Sequence, residues 1–412
     1  MNRRKDSPLR ILIFEPYHNG HRFTYVRVLI RALSNALSAS SADYSIELAT
    51  TESARLSKEF DELLAGISHL FTVREIEEIP AGLSPTRDCW CRYKLLCSCL
   101  SNQQVDHLYV PSSDGLVQMS AIFSVIPGFG SIPRKLRAET LMLGASVGYD
   151  SQSLSRRLLF FLAIRLAPFH RIHLIDPIVY EYILHHWLPT PRKVRLIPDP
   201  ITNTKQMARG YAREVLGLPS QGRLIGCVGL VNERKGADLL LAGFAGMNRE
   251  ENDYLVFAGR HSDVIRDSIK NFKEHDPCLK IISIDRYLTE KELSASVCAL
   301  DVMVALYPSF VGSASFVLRA ASVNCISLGA QHGWMGEIIP RFGLGHVCDL
   351  GDSGNIISAI KQTLHDAMDY ELSELGKEFV KYNSGQNMDA HWTSFLMQYY
   401  LDQDVELTAF PS

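Results

Sequence analysis

The stretch "PSFVGSASFVLRAASVNC", residues 308–325, begins as a turn of small residues and continues as an amphipathic helix. Gly312, Ser313, Ala314 and Ser315 carry little side chain, so their backbone amides can approach an anion closely where the helix begins. Before it, "LDVMVAL" is a short apolar run of strand length, and "NCISLGA" at its end is another. Strand, tight turn, helix and strand make one βαβ unit, the element of a parallel sheet.

Working outward, the same alternation repeats in both directions. The first half carries strand-like runs in "LRILIFEP", "YSIELAT", "DHLYVPS", "KLRAETLML", "RIHLID" and "KVRLIPDP", the second in "RLIGCVGLV", "DYLVFAG", "LKIISID", "LDVMVAL" and "NCISLGA". Each series predicts a doubly wound, Rossmann-like α/β domain. The segment "DPITNTKQMARGYAREVLGLPSQG" separates the two with Pro200, Pro219 and Gly222, and places the boundary near 200–220. We assign residues 1–200 to an acceptor-side domain and 201–385 to a nucleotide-sugar-binding domain. Residues 386–412, with "NMDAHWTSFLMQYYL", are assigned to a helix that returns to the first domain, leaving a cleft between the two. Such sheets bind ligands at the carboxyl ends of their strands.

The chain has 412 residues, 46% hydrophobic and 21% charged, with 42 Lys+Arg against 45 Asp+Glu. A net charge of −3 gives no basic field for nucleic acid, and none is expected as a partner. The basic start "MNRRKDSPLR" precedes "ILIF", too short for a signal-peptide core or a membrane span, so residence in the cytoplasm is the expectation. Nine cysteines without a secretion signal are expected as reduced thiols. "CWCRYKLLCSC" offers Cys89, Cys91, Cys97 and Cys99 to a metal, but its two C-x-C pairs lack the usual spacing and the segment reads as a helix; neither metal nor cofactor is expected.

Several strand ends carry candidate ligand contacts. In "FEPYHNGHRFTYVRVL", Gly20 frees the turn while His21 and Arg22 stand at the start of a helix; an ordinary polar helix start is the competing reading. "VGLVNERKGADLLLAGF" sets Arg234 and Lys235 in a turn after a strand, where a cation can neutralise a diphosphate leaving group. "VPSSDGLVQM" and "LGASVGYD" bring Asp114 and Ser146 to strand ends where an acceptor can be held, or where a helix is simply capped. "SRRLLFFLAIRLAPFHRIHLI" is core helix in the plain reading; Arg156, Arg157 and Arg165 with the flanking apolar residues leave open a peripheral contact with the inner face of a membrane.

Taken in order, "LIPDPI", "RKG", "LVFAG", "YPS", "GSASFVLRAA" and "GAQHGWMGEII" resemble the C-terminal domain of the group 1 retaining glycosyltransferases, which have the GT-B fold. The resemblance covers about half the chain well and the rest only in layout. It implies a hexosyltransferase-like enzyme moving a sugar from a nucleotide sugar to an acceptor, itself a sugar, a lipid or a small molecule. It assigns donor phosphates to Lys235, with Arg234 beside it, and to the amides of Gly312, Ser313, Ala314 and Ser315. It places Glu337 at the donor nucleotide or sugar, on a loop where His332 and Trp334 are additional side chains that read as facing a ligand and Gly333 and Gly336 admit a close approach; Arg319 is expected on the same side, donating to ribose oxygens, pairing with a phosphate, or in an ion pair with Glu337 or Asp301. Three positions depart from the pattern. The family's phosphate-binding arginine falls on Leu230, and its Glu-x7-Glu pair falls on Val311 and Arg319, neither of which accepts a hydrogen bond from ribose. No histidine aligns with the one that contacts the transferred sugar, and no catalytic residue is assigned. The alternative is a non-catalytic or partner-dependent GT-B protein acting as a binding or scaffold module; an epimerase or hydrolase on the same fold is a third reading.

Overall fold

The structure, a computed structural model, describes residues 8–18, 22–39, 43–101, 104–124, 126, 132–133, 135–144, 147–149, 153–186, 193–201, 204–401 and 409–411. By its internal contacts the chain divides into two units. One holds residues 1–198 with 386–408, the other 199–385 with 409–412.

The first unit contains strands β1 (Leu9–Phe14), β2 (Tyr44–Thr51), β3 (Thr72–Ile76), β4 (His107–Val110), β5 (Arg137–Met142), β6 (Arg171–Leu174) and β7 (Val194–Leu196). They form one parallel sheet in the order β3-β2-β1-β4-β5-β6-β7. The second contains β8 (Arg223–Val228), β9 (Asp253–Ala258), β10 (Ile281–Ile284), β11 (Val302–Ala305), β12 (Ile326–Ala330) and β13 (Gly345–Cys348), parallel in the order β10-β9-β8-β11-β12-β13. Each sheet reverses its winding once, at β1/β4 and at β8/β11. At such a switch point the connections leave in opposite directions and open a crevice at the strand ends.

Central strands buried on both faces are written mostly in apolar residues, as in β11, where every position is apolar and buried. The edge strands β3 and β13 are mostly half-buried or exposed and carry no apolar run, which is why neither is legible in the sequence.

The core of the first unit joins Ile11 and Ile13 of β1 to Phe23 and Leu33 of helix Arg22–Ala39 and to Leu48 of β2. Met388, Trp392, Phe395 and Leu396 of the last helix, Gly385–Leu401, belong to this same core. Trp392 packs its ring 4.6 Å from that of His173 in β6. The sheet of the second unit is packed on both faces, by the cluster of Ile225, Phe257 and Val304 and by that of Leu224, Val256 and Met303.

Candidate functional site

At the β8/β11 switch point the backbone turns sharply after β8. Gly229 takes φ +91, and a Cβ there would come within 2.8 Å of the Phe316 ring and 3.0 Å of Lys235 Nζ, so glycine lets both crowd against the strand end. Asn232 then caps a short 3-10 turn, Glu233–Lys235, by accepting from the Lys235 amide at 3.2 Å. That turn aims the lysine inward. Lys235 is buried, donates to the Val228 carbonyl at 2.7 Å and lies 4.2 Å from the centre of the Phe316 ring.

Two more cations share this aromatic floor. The Arg234 guanidinium sits 5.7 Å from the Tyr307 ring and 5.9 Å from that of Phe310, and the Arg319 guanidinium sits 5.8 Å from Phe316. Burial pushes the Lys235 ammonium down to about 8, and Arg234 and Arg319 press in the same direction. Burial likewise lowers Arg319, with Glu290 opposing it. Lys235 and Arg319 are buried cations beside the exposed Arg234, an arrangement suited to an anion.

Helix Ser315–Ser322 starts at the same strand end with Ala314 as its extended N-cap. Ser313 precedes it and donates to Asp199 at 2.5 Å, while the Asp199 amide donates to the Asn383 side chain at 2.9 Å. The turn before the helix is thereby anchored to the "IPDP" segment.

The β1/β4 switch point is built differently. Glu15, wholly buried just past β1, accepts from Arg22 at 3.3 Å and from the Tyr17 amide at 3.2 Å. Arg22 also donates to Ser112, and Arg92 donates to the carbonyls of Ser112 and Asp114. The guanidinium groups of Arg22 and Arg92 lie 5.2 and 5.6 Å from the Tyr17 ring, whose hydroxyl bonds Asp88. Burial pushes the Glu15 carboxyl up, and the charges of Arg22 and Arg92 hold it back.

The sequence-predicted residues are distributed as follows. Lys235 and Arg319 lie against Phe316 and Arg234 against Tyr307 and Phe310, while Ser315 opens the helix that carries Phe316 and Gly312, Ser313 and Ala314 lead into it. Arg319 is buried rather than presented on an open face, and Asp301 is engaged by Arg209 and Arg213 at 2.7 and 2.8 Å. Leu230 is half-exposed. Trp334 was expected to face a ligand and instead lies in the core, 2% exposed, with its ring 6.4 Å from Phe379. Its amide donates to the Val311 carbonyl at 2.8 Å. Gly333 and Gly336 are likewise required by the chain itself, since a Cβ would meet Val311 Cα at 2.6 Å in the first and the Gln331 carbonyl oxygen at 2.3 Å in the second. His332 is the N-cap of helix Gly333–Arg341, and Glu337 is exposed one turn in.

In the first unit, Asp114 accepts from the amides of Leu143 and Gly144, both at 3.0 Å, and so ties the end of β4 to the end of β5. The helix that follows, Leu116–Phe123, is capped by Gly115 and not by Asp114. Gly20, His21 and Ser146 lie outside the described residues. Cys89, Cys91, Cys97 and Cys99 are free thiols along helix Pro85–Ser101, and the described residues contain no group of three or more His, Cys, Asp or Glu placed to hold a metal. Sequence reasoning missed Tyr307, Phe310 and Phe316, for which the aromatic-rich "YPSFVGSASF" is the available signal. It also missed Glu15, Tyr17 and Arg92, for which there is none, because Arg92 is brought to β1 only by the sheet order.

No protein-family profile and no characterised protein sequence matches the chain. Solved structures do. Sucrose-phosphate synthase from Thermosynechococcus elongatus superposes with a TM-score of 0.67 at 15% identity, over 96% of this chain and 100% of that one. HepE from Anabaena, solved with UDP and glucose, gives 0.59 at 13% identity over 96% and 98%. WaaG, a glycosyltransferase of lipopolysaccharide biosynthesis, gives 0.56 at 13% over 98% and 97%. At these identities the likeness is one of fold. That fold is GT-B, with two Rossmann-like parallel-sheet units in one chain.

Proposed function

We propose that this protein is a retaining glycosyltransferase that moves a sugar from a nucleotide-sugar donor to an acceptor hydroxyl. The observation that carries the reading is the gathering of Arg234, Lys235 and Arg319 on the floor of Tyr307, Phe310 and Phe316 at the β8/β11 switch point. Lys235 and Arg234 neutralise the donor diphosphate, and the amides from Gly312 to Ser315 complete its cradle. As the carbon–oxygen bond from sugar to diphosphate breaks, charge builds on the leaving phosphate, and the buried Lys235 with Arg234 beside it favours that state. Retention follows if the acceptor hydroxyl attacks from the face the diphosphate leaves and passes its proton to a phosphate oxygen, which requires no protein nucleophile. Arg319 and His332 then meet the nucleoside or sugar. The donor bound to HepE, a protein of the same fold, supports a UDP-sugar as the first to try.

Thermal shift with nucleoside diphosphates and their sugars tests this, since a ligand at 100 times its Kd adds about 2.7 kcal/mol of stability. Stabilisation by a sugar nucleotide, followed by its slow conversion to nucleoside diphosphate, is the expected result; no shift with any of them contradicts it. One observation favours a second reading, a binding module without turnover: Val311 and the buried Arg319 offer no acceptor to ribose. That reading expects stabilisation without conversion.

A further inference from the structure

Helix Leu154–Leu166, "LSRRLLFFLAIRL", buries Phe160, Phe161, Ala163 and Ile164 and turns five leucines outward. Leu154 is 74% exposed, Leu158 53%, Leu159 65%, Leu162 48% and Leu166 43%. Leu154, Leu158, Leu162 and Leu166 recur every four residues, so they form one stripe along about 20 Å of helix. A core helix has no reason to present such a stripe, and a contiguous apolar strip of this kind on a folded unit marks a contact surface.

The charges beside the stripe are of one sign. Arg156 and Arg165 are exposed, Arg157 is half-buried, and the helix holds no acidic residue. Arg157 is fixed by donating to the Tyr182 hydroxyl at 3.1 Å and to the Tyr149 carbonyl at 3.3 Å. At the other end Lys193 donates to the carbonyls of Arg165 and Ala167 at 3.3 and 3.1 Å, adding a cation to the helix terminus. Leucines flanked by arginines suit a helix lying in the interface of an anionic bilayer. Beneath the N-terminal half of the helix lies a cavity of about 260 Å³, lined by Arg156, Leu159, Phe160, Met142, Gln118 and Asp114 among others, so part of a lipid held against the helix has mostly apolar space with a few polar groups to enter.

We infer that helix Leu154–Leu166 docks the protein on an anionic lipid surface, its leucines entering the acyl boundary and its arginines meeting the headgroups. This does not depend on the donor reading. The test is co-sedimentation of the full chain with vesicles of phosphatidylcholine alone and of phosphatidylcholine mixed with phosphatidylglycerol. Binding should be at least about tenfold stronger to the mixed vesicles and should weaken with salt. The double variant Leu158→Glu/Leu162→Glu should lose it, while Arg156→Glu/Arg165→Glu should lose the preference for anionic vesicles. Circular dichroism and the thermal unfolding midpoint report that the variants are folded, and neither should change. Absence of wild-type binding, or binding that neither variant alters, overturns the inference. So does a wild-type dimer in light scattering that the leucine variant disperses, because a second copy then covers the stripe.

Discussion

The two switch points of this molecule occupy the same place in the same kind of sheet and have opposite electrostatics. At β1/β4, Glu15 lies between Arg22 and Arg92, so the buried charges are answered within the fold. At β8/β11, the cations Arg234, Lys235 and Arg319 meet aromatic faces, and Lys235 is pushed down by burial with Arg234 and Arg319 pressing in the same direction. A balanced crevice suits a neutral, hydroxyl-rich ligand that exchanges hydrogen bonds with what is there. An unbalanced one suits an anion, and its folded state bears a desolvation cost until the anion arrives. The fold sets where each crevice is; the side chains decide what each receives.

The largest effect expected from breaking this contrast is at Glu15. Glu15→Ala strands Arg22 and Arg92 without their carboxylate and should cost about 3–5 kcal/mol in urea unfolding. UDP affinity, set in the other unit, should stay the same, as calorimetry would show; a parallel loss of both would mean that the two crevices are not independent. Next is Lys235→Met, which keeps the buried volume but removes the ammonium. It should weaken UDP binding by about 1.5–3 kcal/mol, the worth of a charged hydrogen bond, without loss of stability. Methionine is the better probe because the side chain is buried, and alanine would add a cavity to the measurement.

A smaller effect is expected from pH. Lys235 is held down to about 8 in the folded protein, so the unfolded state holds its proton more tightly, and stability from this group rises as pH climbs from about 8 towards the usual lysine value. An anion on the ammonium reverses that preference. UDP affinity should therefore fall by up to about tenfold between pH 8 and 9, with proton uptake on binding in that window, read from calorimetry in buffers of different ionisation enthalpy. Flat affinity across the window would place the diphosphate away from Lys235. Smallest is Ser313→Ala, which frees the turn before helix Ser315–Ser322 from Asp199. It should cost about 1 kcal/mol of stability and weaken UDP binding less than Lys235→Met does.

Much of this organisation is set by local sequence. A strand buried on both faces is mostly apolar, and a turn that approaches an anion has to be small. The nine interior strands, the edges β7 and β10, and the turns around Lys235 and Ser313 are therefore legible, as in "RLIGCVGLV", "NERKG" and "GSAS". What escaped has no local signature. The strands β3 and β13 are partly solvated edges, so nothing compels them to be apolar. Trp334 reads as a candidate ligand contact in "GAQHGWMGEII", yet the fold buries it, with the distant Phe379 among its ring neighbours. Arg92 looks like any helix arginine until the order β2-β1-β4 brings its helix to the end of β1 and gives it the Glu15 charge to answer. Composition and spacing determined which segments are strands, helices and phosphate-sized turns, because those depend on a residue and its near neighbours. Which charges meet, and how deeply they are buried, was decided by tertiary structure, because Coulomb interactions and burial depend on which distant segments the sheet order brings together.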